Sequence, residues 1–466
     1  TASSASAFNE NNIKGVLKAG MRPNFLGFAQ GLHTKSLADN LRLWQNDRDV
    51  NALIRKPSLS DPDFISQQRS RIEGSAVLAA KYNPLQIIAA DETSYTSYSA
   101  DFDFDWHPAN IARFRKHLSD RFGTVANLNA AIGTSYDSFD AVEPITGEDA
   151  KSSKRFGLFN EWRAFNDIVW TEHFKFLRDI YREKYPSARL SVSGTQVSAV
   201  FNGIDWARLM EAFDAICDYG GRFQLLKRAS FHPAYKSTPW GGYGRSGKAV
   251  DHQVWTNLLQ NGAGMSLFWW YSIKNPDLSL SNSGKDYQRV FNEVRSGPGR
   301  QIMAAVPHYD PVAILWSPTS QRAAWLKGAF QEFVSTEAAV MNSLSAAGYR
   351  PFFVDERAAA KGALAQKAVK AVVLPMSLAL GLGEKTAGMK ILDALKTISD
   401  NGGVVIATHG PEFDEFLSPA DFTAKAVFIK VPAGGASAIS AELGTAGVKP
   451  AVFVTPENHS DAHRFI

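Results

Sequence analysis

At 466 residues the chain is longer than one hydrophobic core supports, since cores stop growing at roughly 250–300 residues, so two or more domains are expected. Its 45% hydrophobic and 21% charged residues are those of an ordinary globular protein, and no apolar run approaches the roughly 20 residues that span a bilayer. With 50 basic against 46 acidic residues the net charge of +4 is too mild to argue for nucleic acid, and the single Cys217 excludes a disulfide framework or a cysteine zinc site while fitting a reducing or an oxidising compartment equally.

From Phe8 to about residue 300, short apolar runs alternate with amphipathic stretches, the pattern of parallel strands joined by crossover helices. Strands are predicted at Pro23–Ala29, Leu85–Ala90, Arg189–Gly194, Phe213–Cys217, Ala234–Pro239 and Met265–Tyr271. Helices fall between them, among them Pro62–Lys81, Pro108–Phe122, Asn160–Tyr185 and Asp251–Asn261, with prolines near their ends as helix punctuation requires. A closed barrel has eight strands in about 250 residues. Only the helix Asn11–Ala19 precedes the first predicted strand, so the expectation is a (β/α)8 barrel that lacks its first two strands, with an atypical or open barrel as the alternative.

The texture changes at Gly297-Pro298-Gly299. Buried parallel strands are predicted at Pro311–Trp316, Arg350–Val354, Ala371–Pro375 and Gly403–Thr408, with helices Ala323–Ala347 and Glu384–Asn401 between them, which is a doubly wound α/β domain. No Gly-x-Gly-x-x-Gly or Walker pattern accompanies it, which argues against a nucleotide there. Beyond about Glu412, Ala426–Val431 and Pro450–Val454 read as β-like.

The sharpest chemical signal is the apolar run Leu85–Ala90 ending in Asp91-Glu92, because barrel enzymes carry their chemistry at the C-terminal ends of strands. A polar and aromatic loop follows, Thr93–Tyr98 and then Asp101–Trp106. The chain holds 11 Trp, several in Gly-rich polar company, and sugar clefts use such rings because the C–H faces of a pyranose stack on them. For any one Trp taken alone, a place in the core is the commoner reading.

After this strand, Phe114-Arg115-Lys116-His117-Leu118, Arg121-Phe122-Gly123 and Leu128–Thr134 with Ser135-Tyr136 resemble a pattern of the family 42 glycoside hydrolases, β-galactosidases in which Phe-Arg-x-Trp-Leu leads to Leu-Asn-x-Ala-Trp-Gly-Thr-x-Phe. That pattern follows the family's acid/base motif Asn-Glu, whose place Asp91-Glu92 takes here. The resemblance implies an acid/base role for Glu92 and a sugar contact at Asp91. Asn160-Glu161 matches the same motif but opens a helix, which marks it as a decoy. Phe213–Tyr219 is similar to the family's sixth strand, Phe268–Tyr271 to the aromatics of its eighth, and Pro311–Ser317 to the start of its flavodoxin-like trimerisation domain. The implied organisation is a barrel over residues 1–300, a flavodoxin-like domain over 301–415 and a β-rich segment over 416–466.

One departure stands out. The family's seventh strand carries a nucleophilic Glu, whereas Tyr235–Gly244 contains no carboxylate. Retaining hydrolysis needs two carboxyls about 5–5.5 Å apart and inversion about 6.5–9.5 Å. Asp218 is the first substitute, with Asp91 and Asp251 weaker ones. Between Arg222 and Lys248 lie six cations (Arg222, Lys227, Arg228, Lys236, Arg245, Lys248) and no anion, interleaved with aromatics. Such a run is usually a solvated face, but beside a cleft it suits a sulfated or uronic saccharide.

The leading expectation is hydrolysis of a β-linked oligosaccharide or polysaccharide, with Glu92 and Asp218 catalytic and Asp91, Tyr219, Lys236, Trp240, Tyr243, Arg245, Trp269 and Trp270 binding the sugar. Two rivals remain: a carbohydrate-binding barrel without catalysis, which the seventh-strand departure favours, and an assembly role for the C-terminal module, for which the resemblance implies a homo-trimer. No cofactor or metal is expected; His459 and His463 form the one His-x-x-x-His pair, in a polar terminal stretch.

Overall fold

The computed structural model describes residues 2–450 except 28, 30–31, 33–37, 98–99, 195–196, 218, 220–221, 261, 263, 268–272, 306–307, 382–390, 420–428 and 431–435. The chain divides into two compact units: Thr1–Phe114 with Arg163–Val306, and Arg115–Trp162 with Pro307–Ile466.

In the first unit, parallel strands follow one another in chain order. β1 (Ala2–Ser6) pairs with β2 (Arg22–Leu26), β2 with β3 (Ile87–Asp91) and β3 with β4 (Leu190–Ser193). A parallel bridge from Ser193 to Cys217 carries the series to β5 (Ala215–Ile216), which pairs with β6 (Lys236–Ser237). Pro239, which has no N–H to give a ladder, separates β6 from β7 (Trp240–Gly241), and β7 pairs with β8 (Ser266–Leu267). β6 and β7 are thus two parts of one extended stretch, and the series has seven members among the described residues.

That corrects the expected count of strands. Ala2–Ser6 is a strand in register with Arg22–Leu26, so a strand and a helix (Glu10–Lys18) precede Arg22. Its sequence, Ala-Ser-Ser-Ala-Ser, has neither the β-branched nor the aromatic side chains by which strands are recognised. It is a strand because its backbone completes the ladder of β2. β3, by contrast, is apolar on both faces, as a parallel strand covered on both sides must be, and residues Ile87–Ala90 are all buried.

The helix Pro62–Tyr82 begins at Asp61, whose carboxylate accepts the Asp63 N–H, has Pro62 in its first turn, and stops at Asn83 in the left-handed region. Its Ser75 hydroxyl lies 2.8 Å from the Tyr181 hydroxyl of the 29-residue helix Phe156–Lys184. Gly27 is required beside that hydroxyl, since a Cβ there would come within 2.7 Å of it.

The second unit holds β9 (Val312–Trp316), β10 (Phe352–Asp355), β11 (Ala371–Leu374), β12 (Val404–Ala407) and β13 (Ile429–Lys430), all parallel, in the order β10-β9-β11-β12-β13. Renumbered within the unit this is 2-1-3-4-5, one of the common doubly wound orders. Leu315, Val354, Val372, Leu374, Leu395 and Val405 form its core, each worth roughly 1.5–3 kcal/mol of burial. Residues 115–162, which a linear reading places with the barrel, belong to this unit.

Candidate active site

Parallel strands point their C-terminal ends the same way, so the loops after them meet at one mouth. Asp91 closes β3 and Glu92 follows it, its N–H bonded to the Ser193 carbonyl at the end of β4. Glu92 has φ +45°, a left-handed conformation rare for a side chain that is not glycine. From the next strand end, the Tyr219 hydroxyl donates to Glu92 Oε1 at 2.5 Å.

Gly194 is what allows this convergence. A Cβ on it would lie 2.9 Å from the Tyr219 hydroxyl, 3.0 Å from Asp91 Oδ1 and 3.0 Å from Glu92 Cγ, and its own φ is +55°. The phenol and both acidic side chains therefore gather about one point that only a glycine leaves open. Desolvation, then the bond to Glu92, then the charges of Glu92 and Asp91 push the Tyr219 phenol well above its ordinary value, so it is protonated at neutral pH.

Aromatic surface adjoins these groups. The Trp240 indole N–H donates to Ser193 Oγ at 2.8 Å, which anchors that ring at the start of β7 beside the end of β4. The Tyr219 and Tyr243 rings meet edge to face, 6.4 Å apart, and both residues are exposed, at 46% and 48%. Exposed rings on a polar rim suit the faces of a sugar. Gly242 N–H donates to the Tyr287 hydroxyl, which donates in turn to Gln253, and Gln253 donates to the Trp240 carbonyl, so this loop is held from behind.

Deeper in, Cys217 Sγ accepts from Gln86 at 3.0 Å and lies 2.9 Å from Thr238 Oγ1 and 3.4 Å from Ser266 Oγ, joining four chain segments by polar contacts. The loop after Glu92 is fixed by a buried network. Asp105 accepts from the backbone N–H groups of Arg55 and His107 and from Ser58 Oγ, while Arg55 Nε donates to the Tyr95 carbonyl and Tyr95 donates to Asn166. Burial pushes the Asp105 carboxyl up, and these hydrogen bonds with the Arg55 charge oppose it.

Of the residues expected at the site, Asp91, Glu92, Tyr219, Trp240 and Tyr243 are thus brought to the strand ends. Lys236 is not: it begins β6 and its N–H bonds the Asp214 carbonyl, so it sits at the opposite end of its stretch from Trp240. The cation run divides likewise, because Lys227 and Arg228 are buried, Arg228 against the Trp206 ring, while Arg245 and Lys248 are exposed. Asp218, Trp269 and Trp270 lie outside the described residues. Asp251 pairs with Arg289, a helix-surface ion pair. Glu161, on the helix Phe156–Lys184, is buried against Arg121 in the second unit. Ser193, Gly194, Cys217 and Thr238 were not singled out from the sequence; the pair Ser193-Gly194 ending an apolar strand was the available signal. No group of three or more His, Cys, Asp or Glu residues that could hold a metal ion occurs among the described residues.

The succession of parallel strands with helices between them is a fold that the chain shares with solved structures of family 42 glycoside hydrolases. Solved structures with this fold include the β-galactosidase of Marinomonas ef1 (TM-score 0.63, 14% identity, 88% of this chain on 69% of that one) and that of the haloarchaeon Halorubrum lacusprofundi (0.64, 14%, 88% on 66%). A family 42 exo-carrageenase from Bacteroides ovatus matches at TM-score 0.63 and 16% identity, over 96% of this chain and 70% of its own. No family model and no curated protein matches the chain.

Proposed function

We propose that the chain hydrolyses β-linked glycosides at this mouth, with Glu92 as the carboxylate that transfers the proton. The observation that carries the reading is the gathering of Glu92, Asp91 and Tyr219 about Gly194, next to Trp240 and Tyr243. Proton transfer by a placed group contributes about 10²–10⁴-fold to rate. Glu92→Gln should therefore lower kcat for β-galactosides, activated or natural, by at least about a hundredfold while the melting temperature holds. Wild-type turnover in that variant would refute the role.

The finer reading is an anionic saccharide, supported by the exposed Arg245 and Lys248 beyond Tyr243 and by the likeness to an exo-carrageenase. Matched sulfated and desulfated oligosaccharides would bind unequally, with the gap closing as salt rises and in Arg245→Ala. The second reading, binding without catalysis, is favoured by the lack of a carboxylate in Tyr235–Gly244. Binding with no turnover of any β-glycoside would decide for it.

A further inference from the structure

Large apolar side chains that fill no core stand at the mouth of the first unit. Among the described residues they include Val197, exposed at 60%, Tyr243 at 48% and Leu278 at 72%. One exposed Val or Leu is ordinary; a shared location is informative. Val197 lies on the loop after β4, beyond Gly194, Tyr243 follows β7, and Leu278 follows β8, the strand paired with β7. All three are thus on loops at the C-terminal strand ends, where Glu92 also lies.

Two of these side chains are held in water by their own loops. Leu278 has φ +69°, a strained backbone for a residue other than glycine. Around it the Asn275 N–H bonds the Ser279 carbonyl, the Ser279 N–H and hydroxyl both donate to Asp277, and Lys274 bridges Leu280. The Val197 carbonyl accepts from Asn202 Nδ2 at 2.7 Å, and Asn202 is buried. Fixed and exposed apolar groups lose little freedom when something covers them. An aromatic ring alone suits a sugar face, but a ring with two aliphatic side chains, which offer nothing to hydroxyls, suits an apolar group.

The chemistry of the site says which part of a glycoside reaches them. A carboxyl that protonates the departing oxygen has the leaving group on its outer side. Outward from Glu92 come Tyr219, whose hydroxyl touches it, and then Tyr243, whose ring meets that of Tyr219. We propose that Tyr243, Val197 and Leu278 form an apolar leaving-group subsite, and that the chain prefers β-glycosides with an alkyl or aryl aglycone to those that release a second sugar. The inference rests on the glycosidase reading above and concerns only the group that departs, so it holds for a neutral or a charged sugar alike.

The test uses the intact protein and the β-galactosides of methanol, butanol and octanol, below the micelle concentration, whose leaving groups differ little in acidity and so need equal help from Glu92. From methyl to octyl, kcat/KM should rise at least about tenfold, since each fully buried methylene adds about fourfold. Val197→Ser and Leu278→Ser should each narrow the octyl-to-methyl ratio by at least about threefold while turnover of the methyl galactoside and the melting temperature hold. Tyr243→Ser should narrow the ratio too. A flat series, a rise that survives all three substitutions, or a β-galactosyl disaccharide cleaved as well as the octyl galactoside would overturn the subsite and leave the glycosidase reading standing. No turnover of any β-glycoside, dinitrophenyl glycosides included, would overturn both.

Discussion

A single missing carbon atom shapes the site. Gly194 carries φ +55°, and a side chain on it would collide with Tyr219, Asp91 and Glu92 at once. For alanine the left-handed backbone alone costs roughly 1–2 kcal/mol. The larger effect falls on geometry, because Tyr219 and Asp91 would have to move by tenths of an ångström from positions on which proton transfer depends. Gly194→Ala is expected to cut kcat/KM by at least about tenfold with a melting-temperature loss of only a few degrees. A variant with unchanged kinetics would show that these three side chains do not act together.

At the scale of elements, the second unit joins one helix to one loop through buried charge. Glu161, on the first turns of the helix Phe156–Lys184, pairs with Arg121 at 3.1 Å, and Arg121 also reaches Glu415 at 3.5 Å. Asn160 donates to the Glu415 carbonyl and accepts from Arg322. Arg121 is shared between two acids, and burial together with the charges of Glu161 and Glu356 outweighs it, raising the Glu415 carboxyl from 4.5 to about 7. A folded-state value above the unfolded one means that the folded protein holds the proton more tightly. The stability this gives is complete below about pH 4.5 and is lost as pH rises through 7, amounting to at most about 3 kcal/mol. Glu415→Gln should thus narrow the fall in urea-unfolding midpoint between pH 5 and pH 8. His173, held down to about 3 chiefly by burial, acts in the opposite sense over the acid range, but it is common to both proteins and cancels in their difference. An identical fall in the two would show that Glu415 is ionised throughout.

For the whole molecule, the open matter is assembly. The second unit has a five-stranded parallel sheet in the order 2-1-3-4-5, and the resemblance to family 42 carries with it a trimer built by such a domain. Sedimentation velocity at micromolar concentration should return a mass near three times the 51.0 kDa of the chain. A monomer at that concentration would remove the assembly role.

Local chemistry was sufficient for much of this protein. Short apolar runs bounded by polar and turn residues fit strands covered on both faces, so β3, β9 and β11 were legible, as was the acid pair Asp91-Glu92 at a strand end. Helix ends were legible for the same reason, since Asp61 and Pro62 satisfy or dispense with N–H groups that any helix start leaves open. Tertiary structure decided what depends on partners distant in sequence. Ala2–Ser6 is a strand only because β2 lies beside it, and Lys227 and Arg228, which look like part of a cationic surface, are buried by the way their helix packs. Tyr219 and Glu92 lie 127 residues apart, and nothing in either neighbourhood signals a hydrogen bond between them. Periodicity records which face of an element meets the core; which strand ends become neighbours, and so which side chains can exchange a proton, is settled only when the ladder is assembled.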